Sequence, residues 1–97
     1  MKKSEFRFNK KRKHPSYVFK EKNNKYHSIL ITHSPMYSNK INIKLYKNPE
    51  PNNKTEAYLV KKIYKDDINS YSKQIFRNWK FHKYDKRNVK RIKKNKK

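Results

Sequence analysis

The chain has no cysteine and no glycine. Without cysteine there is no disulfide framework and no thiolate zinc site. Without glycine, the phosphate-cradling loops that depend on it are excluded, the P-loop and the dinucleotide fingerprint alike. Acid is scarce: 7 Asp and Glu stand against 29 Lys and Arg, a net charge of +22. Apolar side chains are scarce as well, at 32% of 97 residues, well below the usual share in a globular domain. No apolar run approaches the ~20 residues that span a bilayer, so no membrane association is expected. The opening MKKSEFRFNKKRK is basic with no apolar h-region and does not read as a secretory signal. Together with the lack of cysteine, this fits a cytoplasmic location.

What remains is one short, basic, tyrosine-rich chain. Its length predicts a single domain over 1–97, with flexible basic ends at 1–10 and 94–97. The core must lean on eight Tyr, five Phe and Trp79. A core that small leaves a thin stability margin, and a homodimer would widen it by burying a second apolar face. The charge favours a polyanionic partner, and nucleic acid leads that class. Abundant Lys, Asn, Ile and Tyr together also follow the codon bias of an AT-rich genome, which accounts for part of the lysine excess.

Along the chain, SYVF (16–19) and YHSILIT (26–32) read as strands joined by a turn at Asn23-Asn24, residues that tolerate left-handed geometry. INIKLY (41–46) alternates apolar and polar positions, as a half-buried strand does. KNPEPNNK (47–54) is loop, and TEAYLVKKIY (55–64) is strand again, with its core at 56–64. SYSKQIF (70–76) suggests one or two helical turns. Asp66-Asp67 reads as a turn. A C-terminal helix is expected over 83–93, with Asp85 in its first turn, lysines in its last and Val89 and Ile92 on its apolar side. The order predicts a mainly β fold closed by a C-terminal helix (β+α), built as a small bent antiparallel sheet or an SH3-like barrel.

Five stretches in this order resemble the MazF/PemK family of toxin ribonucleases: HPSYVF (14–19), ILITHS (29–34), NIKL (42–45), TEAYLVKKIYKDD (55–67) and WKFHKYDKRNVKRI (79–92). The resemblance covers about residues 12–92. It implies a PemK-like barrel and a metal-independent, sequence-selective endoribonuclease, the toxin of a toxin–antitoxin pair with an acidic antitoxin partner. Thr32 falls at the family's strand-end threonine. His14 stands where the family has its catalytic arginine, and Arg12 lies two residues before it.

Metal-free cleavage of RNA needs a base for the 2′-hydroxyl, an acid for the leaving 5′-oxygen and a donor or cation at the phosphate. Histidine suits the first two. If 16–19 and 26–32 form a hairpin, their outer ends bring His14 near His33 and Ser34. The candidate catalytic set is therefore His14, Thr32, His33, Ser34 and Arg12. Thr32 and Ser34 before Pro35 are equally good turn-formers. Lys10, Lys11, Arg12 and Lys13 are candidate phosphate contacts, and Tyr37 and Tyr46 candidate stacking platforms for single-stranded RNA. No metal site and no cofactor is expected, because no helical His pair or carboxylate spacing accompanies the four histidines. Two other readings stay open. One is a non-catalytic basic nucleic-acid-binding protein of phage, plasmid or ribosome-associated type. The other is an interaction protein whose charge reflects codon bias.

Overall fold

A computed structural model describes residues 4–94. Eight strands and one helix follow in the order β1 (Glu5–Asn9), β2 (His14–Lys22), β3 (Lys25–Thr32), β4 (Met36–Tyr37), β5 (Lys40–Ile41), β6 (Ile43–Lys44), β7 (Tyr58–Asp67), β8 (Tyr71–Ile75) and α1 (Lys83–Lys94). The main sheet has the order β6-β7-β3-β2-β1-β8 with every pair antiparallel, and β4 and β5 form a separate small hairpin. The fold is thus the expected bent sheet with a C-terminal helix. Of the two architectures the sequence allowed, the sheet stays open and does not close into a barrel.

The central strand β3 explains the least polar stretch of the chain. Ser28, Ile29, Leu30, Ile31 and Thr32 are all buried, because both faces of this strand are covered. Ile29 and Ile31 join Phe6, Leu45, Leu59, Phe81, Val89 and Ile92 beneath the helix. Leu30 joins Val60 and Tyr64 on the other face, with Tyr37 packed against them. Continuous rather than alternating hydrophobicity is what a doubly covered strand requires. Each of Ile29, Leu30 and Ile31 contributes about 1.5–3 kcal/mol by burial.

The β2–β3 hairpin turns where expected. Asn23 and Asn24 both take positive φ, 53° and 62°, as a two-residue turn between right-twisted strands demands. Helix α1 carries Asp85, Val89 and Ile92 on its buried side, the i, i+4, i+7 spacing of one helical face. His82 precedes it, and its Nδ1 accepts the Tyr84 N–H at 3.1 Å. The Asp85 carboxylate, 1% exposed, accepts the backbone N–H groups of Tyr46 and Lys47 at 2.7 and 3.2 Å. That pair of bonds ties the segment after β6 to the first turn of the helix.

Three sequence expectations are corrected. Residues 70–76 are not helical: Tyr71–Ile75 is strand β8, paired with β1 after a 3-10 turn at Ile68–Ser70. The expected flexible end at 1–10 contains β1, which lies between β2 and β8, with Phe6 buried in the core; residues 1–3 and 95–97 lie outside the described residues. The strand expected at 41–46 is broken into β5 and β6, because Asn42 turns inward and its Nδ2 donates to Ser34 O at 2.9 Å.

The sheet coils strongly. Strand β8 lies three places from β3 in the sheet order, yet the Tyr71 hydroxyl sits 2.6 Å from Ser28 Oγ. Burial pushes the Tyr71 phenol up to about 12, against the opposing effect of its bond to Ser28. This coiling carries the β1–β2 turn over to the end of β7, where the candidate site forms. Among the described residues, no helix is long and apolar enough to cross a membrane.

Candidate nucleic-acid interface

Residues 10–13 form the tight connection between β1 and β2. Asn9 and His14 are the closing cross-strand pair. Lys13 N–H donates to Asn9 O at 2.7 Å, and Arg12 N–H donates to Asn9 Oδ1 at 3.0 Å. Lys13 takes φ 62° to complete the turn. The four basic residues singled out in the sequence thus sit together on one short hydrogen-bonded loop.

Asp66 anchors that loop. The carboxylate is 3% exposed. It accepts Arg12 Nε at 3.0 Å, Arg12 Nη2 at 2.9 Å and Asn9 Nδ2 at 2.9 Å. Lys11 Nζ stands 3.7 Å away. Burial alone would push the Asp66 carboxyl up. The hydrogen bonds from Arg12 and Asn9 and the charges of Arg12 and Lys11 outweigh it and hold the group below its ordinary value. The same hydrogen bond raises Arg12. The pairing is two-pronged, the strong geometry for a guanidinium and a carboxylate. Asp66 closes β7 as an ion-pair anchor, a role its reading as a turn residue did not include.

An aromatic row continues from the arginine. The Arg12 guanidinium lies 4.5 Å from the Tyr64 ring centroid, and Lys62 Nζ lies 5.0 Å from it. Tyr37 meets Tyr64 edge-on at 6.5 Å, and His14 meets Tyr37 edge-on at 5.7 Å. His14 is held below its ordinary value first by burial and then by the nearby charge of His33. Burial, together with Tyr37, raises the Tyr64 phenol despite Arg12. Beside this row, a groove of about 350 Å³ opens between the β4–β5 hairpin and β7, lined by Tyr37, Lys40, Lys61, Lys62 and Tyr64 among others.

The structure therefore brings Arg12, His14, His33 and Tyr37 into one patch beside the 10–13 loop. Extending the β2–β3 register, in which Ser16 faces Leu30, places His14 opposite Thr32. Thr32 is 4% exposed and its Oγ1 accepts the Ser34 N–H at 3.2 Å. Ser34 Oγ donates to Met36 O at 2.8 Å. Both hydroxyls are engaged in shaping the turn after β3. Tyr46 is not in this patch. It is 67% exposed and packs with His82 at 4.5 Å and Tyr84 at 5.0 Å near the start of α1.

Sequence reasoning missed Tyr64, Lys40, Lys61 and Lys62. Tyr64, Lys61 and Lys62 all stand in YLVKKIY (58–64), where two lysines interrupt the apolar residues of the strand, whereas no pattern marked Lys40. Among the described residues, no group of three or more His, Cys, Asp or Glu could hold a metal ion. Comparison with protein-family models, with curated proteins and with solved structures found no match.

Proposed function

We propose that this protein is a basic, cytoplasmic single-stranded nucleic-acid-binding protein, with RNA as its ligand. The observation that carries the reading is the unbroken row Arg12–Tyr64–Tyr37–His14, set between the 10–13 loop and the lysines of β5 and β7. Splayed bases stack on such rings, and surrounding cations meet the phosphates. Asp66 supports the reading by fixing the Arg12 plane while leaving Nη1 outside its two-pronged bond. Fluorescence anisotropy with a labelled oligouridylate tests it. Binding should be firm at about 50 mM salt and fall steeply as salt rises, because each contacted phosphate releases counterions. No binding at low salt would overturn the reading. An equivalent response to oligothymidylate would widen the ligand to either single strand.

Cleavage of the bound strand, as the toxin of a toxin–antitoxin pair, is a second reading. It is favoured by one observation: the β2–β3 register sets His14 opposite Thr32, the neighbour of His33. In this reading His14 and His33 share the two proton transfers, one taking the 2′-hydroxyl proton and the other giving one to the leaving 5′-oxygen, and the 10–13 loop holds the phosphate. Cleavage should then persist in chelator and leave a 2′,3′-cyclic phosphate. His14→Ala should slow it by roughly 10²-fold or more. RNA left intact under chelator and under Mg²⁺ alike would leave the binding reading alone.

A further inference from the structure

On the helix-covered face, at the end of the sheet where β2 turns into β3, three basic side chains stand in a row across three strands. Lys20 pairs with His27, and His27 pairs with Lys65. The two lysines thus flank one imidazole, and no carboxylate stands within the row. The register makes the row: an irregularity between Val18 and Lys20 puts one extra residue into β2, so Phe19 and Lys20 fall on the same face. Phe19 then meets His27 edge-on at 6.4 Å. From the helix, Lys93 Nζ reaches over the Phe19 ring at 5.3 Å. These residues, with Lys22 and Ile63, line a pocket of about 300 Å³ to which no carboxylate contributes.

We propose that this pocket is a phosphate-group site, in which Lys20, Lys65 and Lys93 grip the oxygens, His27 adds a hydrogen bond and Phe19 forms the floor. The charge arrangement favours an anion over an apolar or cationic occupant: four ammonium groups and an imidazole converge from β2, β3, β7 and α1. His27 itself registers the crowding. Burial first, and then Lys65, Lys20 and Lys22, hold it below its ordinary value. Glu21 lies between Lys20 and Lys22 and falls on the other face of β2, and the two aspartates at this end of the sheet have partners outside the pocket. Asp66 takes Arg12 and Asn9, and Asp67 Oδ1 accepts the Asn69 N–H at 2.8 Å. The site stands apart from the Tyr37–Tyr64 interface, which belongs to the opposite face of the sheet, and does not depend on the nucleic-acid reading.

The test is the titration of the His27 imidazole by NMR in the full chain, its resonance assigned by loss in His27→Gln. Pyrophosphate is compared with chloride at matched ionic strength. A bound phosphate offsets the lysine charges, so the His27 midpoint should move up with pyrophosphate and stay put with chloride. Lys20→Gln and Lys65→Gln, both at exposed positions, should each weaken pyrophosphate binding by about tenfold. A second arm uses an oligouridylate. The same upward move identifies backbone phosphate as an occupant, whereas a response to pyrophosphate alone identifies a small phosphorylated molecule. An unmoved His27 midpoint with both probes overturns the site. So does an undiminished move in the Lys20→Gln/Lys65→Gln double variant. Oligouridylate bound through Tyr37 without any effect on His27 would leave the interface standing and remove this site as a contact for the strand.

Discussion

Arg12 closes on Asp66 through two hydrogen bonds, 3.0 and 2.9 Å long, across 54 residues of sequence. The carboxylate is almost fully buried while the arginine side chain keeps 32% of its exposure. The pair thus joins the core to the surface: one partner belongs to the fold, and the other presents its guanidinium beside the aromatic row.

Removing the anchor should destabilise the protein and show its sign in acid. Asp66→Asn leaves Arg12 with a weaker partner at a buried position. Because Arg12 is partly solvated, the cost should be about 2 kcal/mol, below that of a broken, fully buried pair. The Asp66 carboxyl is depressed in the folded state. Its contribution is present above the ordinary carboxylate value and is lost as pH falls through the lower, folded value. Urea unfolding of the parent chain should therefore weaken from about pH 4 downward, and Asp66→Asn should flatten that part of the profile. Matching acid profiles for the two chains would contradict the assignment.

Tyr37 should act through its ring. Tyr37→Ala is expected to weaken oligouridylate binding by about tenfold, within the range for losing one base-stacking platform, while Tyr37→Phe keeps most of it. Far-ultraviolet circular dichroism of both variants should match the parent, since Tyr37 lies on a two-residue strand at the edge of the second core. Equal losses in the Ala and Phe variants would point to the hydroxyl instead.

His14 should titrate below the ordinary histidine range, and most of that displacement should come from burial rather than from His33. His33→Gln is expected to raise the His14 midpoint only part of the way back. The folded state then binds fewer protons than the unfolded chain. His14 costs nothing above its unfolded value near 6.5 and lowers stability as pH falls from there through its folded value. NMR titration of the two imidazoles decides this, and a His14 midpoint unmoved or lowered in His33→Gln would contradict it.

The Asn23-Asn24 turn offers a check on the hairpin. Asn24→Gly suits φ 62° without steric cost and should be neutral or stabilising by up to about 1 kcal/mol. Asn24→Val must adopt a left-handed conformation that a β-branched residue resists, at about 1–2 kcal/mol. Thermal unfolding midpoints that fail to separate the two variants would mean that the turn does not set the register.

The local devices of this fold were legible in the sequence because each lies within a few residues. Asn23-Asn24 declared the turn, Val89 and Ile92 the buried side of the helix, and the two prolines of 47–54 the loop. The segment 70–76 departs from its helical pattern for a physical reason. Tyr71, Ile75 and Phe76 are spaced as on one face of a helix, and the pairing partner that makes them a strand, β1, lies more than sixty residues earlier. The place of β1 between β2 and β8 could not be read from an opening run so rich in charge.

The candidate site divides the same way. The sequence by itself determined the charge, the lack of cysteine and glycine, the strand character of 26–32, and the expectation that a simple hairpin brings His14 near His33. Tertiary structure alone decided that Arg12 is held by Asp66, that Tyr64 and Tyr37 extend it into a row, that Tyr46 belongs to a different surface, and that Lys20, His27 and Lys65 align. Side-chain neighbours across a sheet depend on register and coiling. Both are set by how the whole chain buries its few apolar residues, and a one-residue irregularity such as that at Phe19 turns every later side chain to the other face.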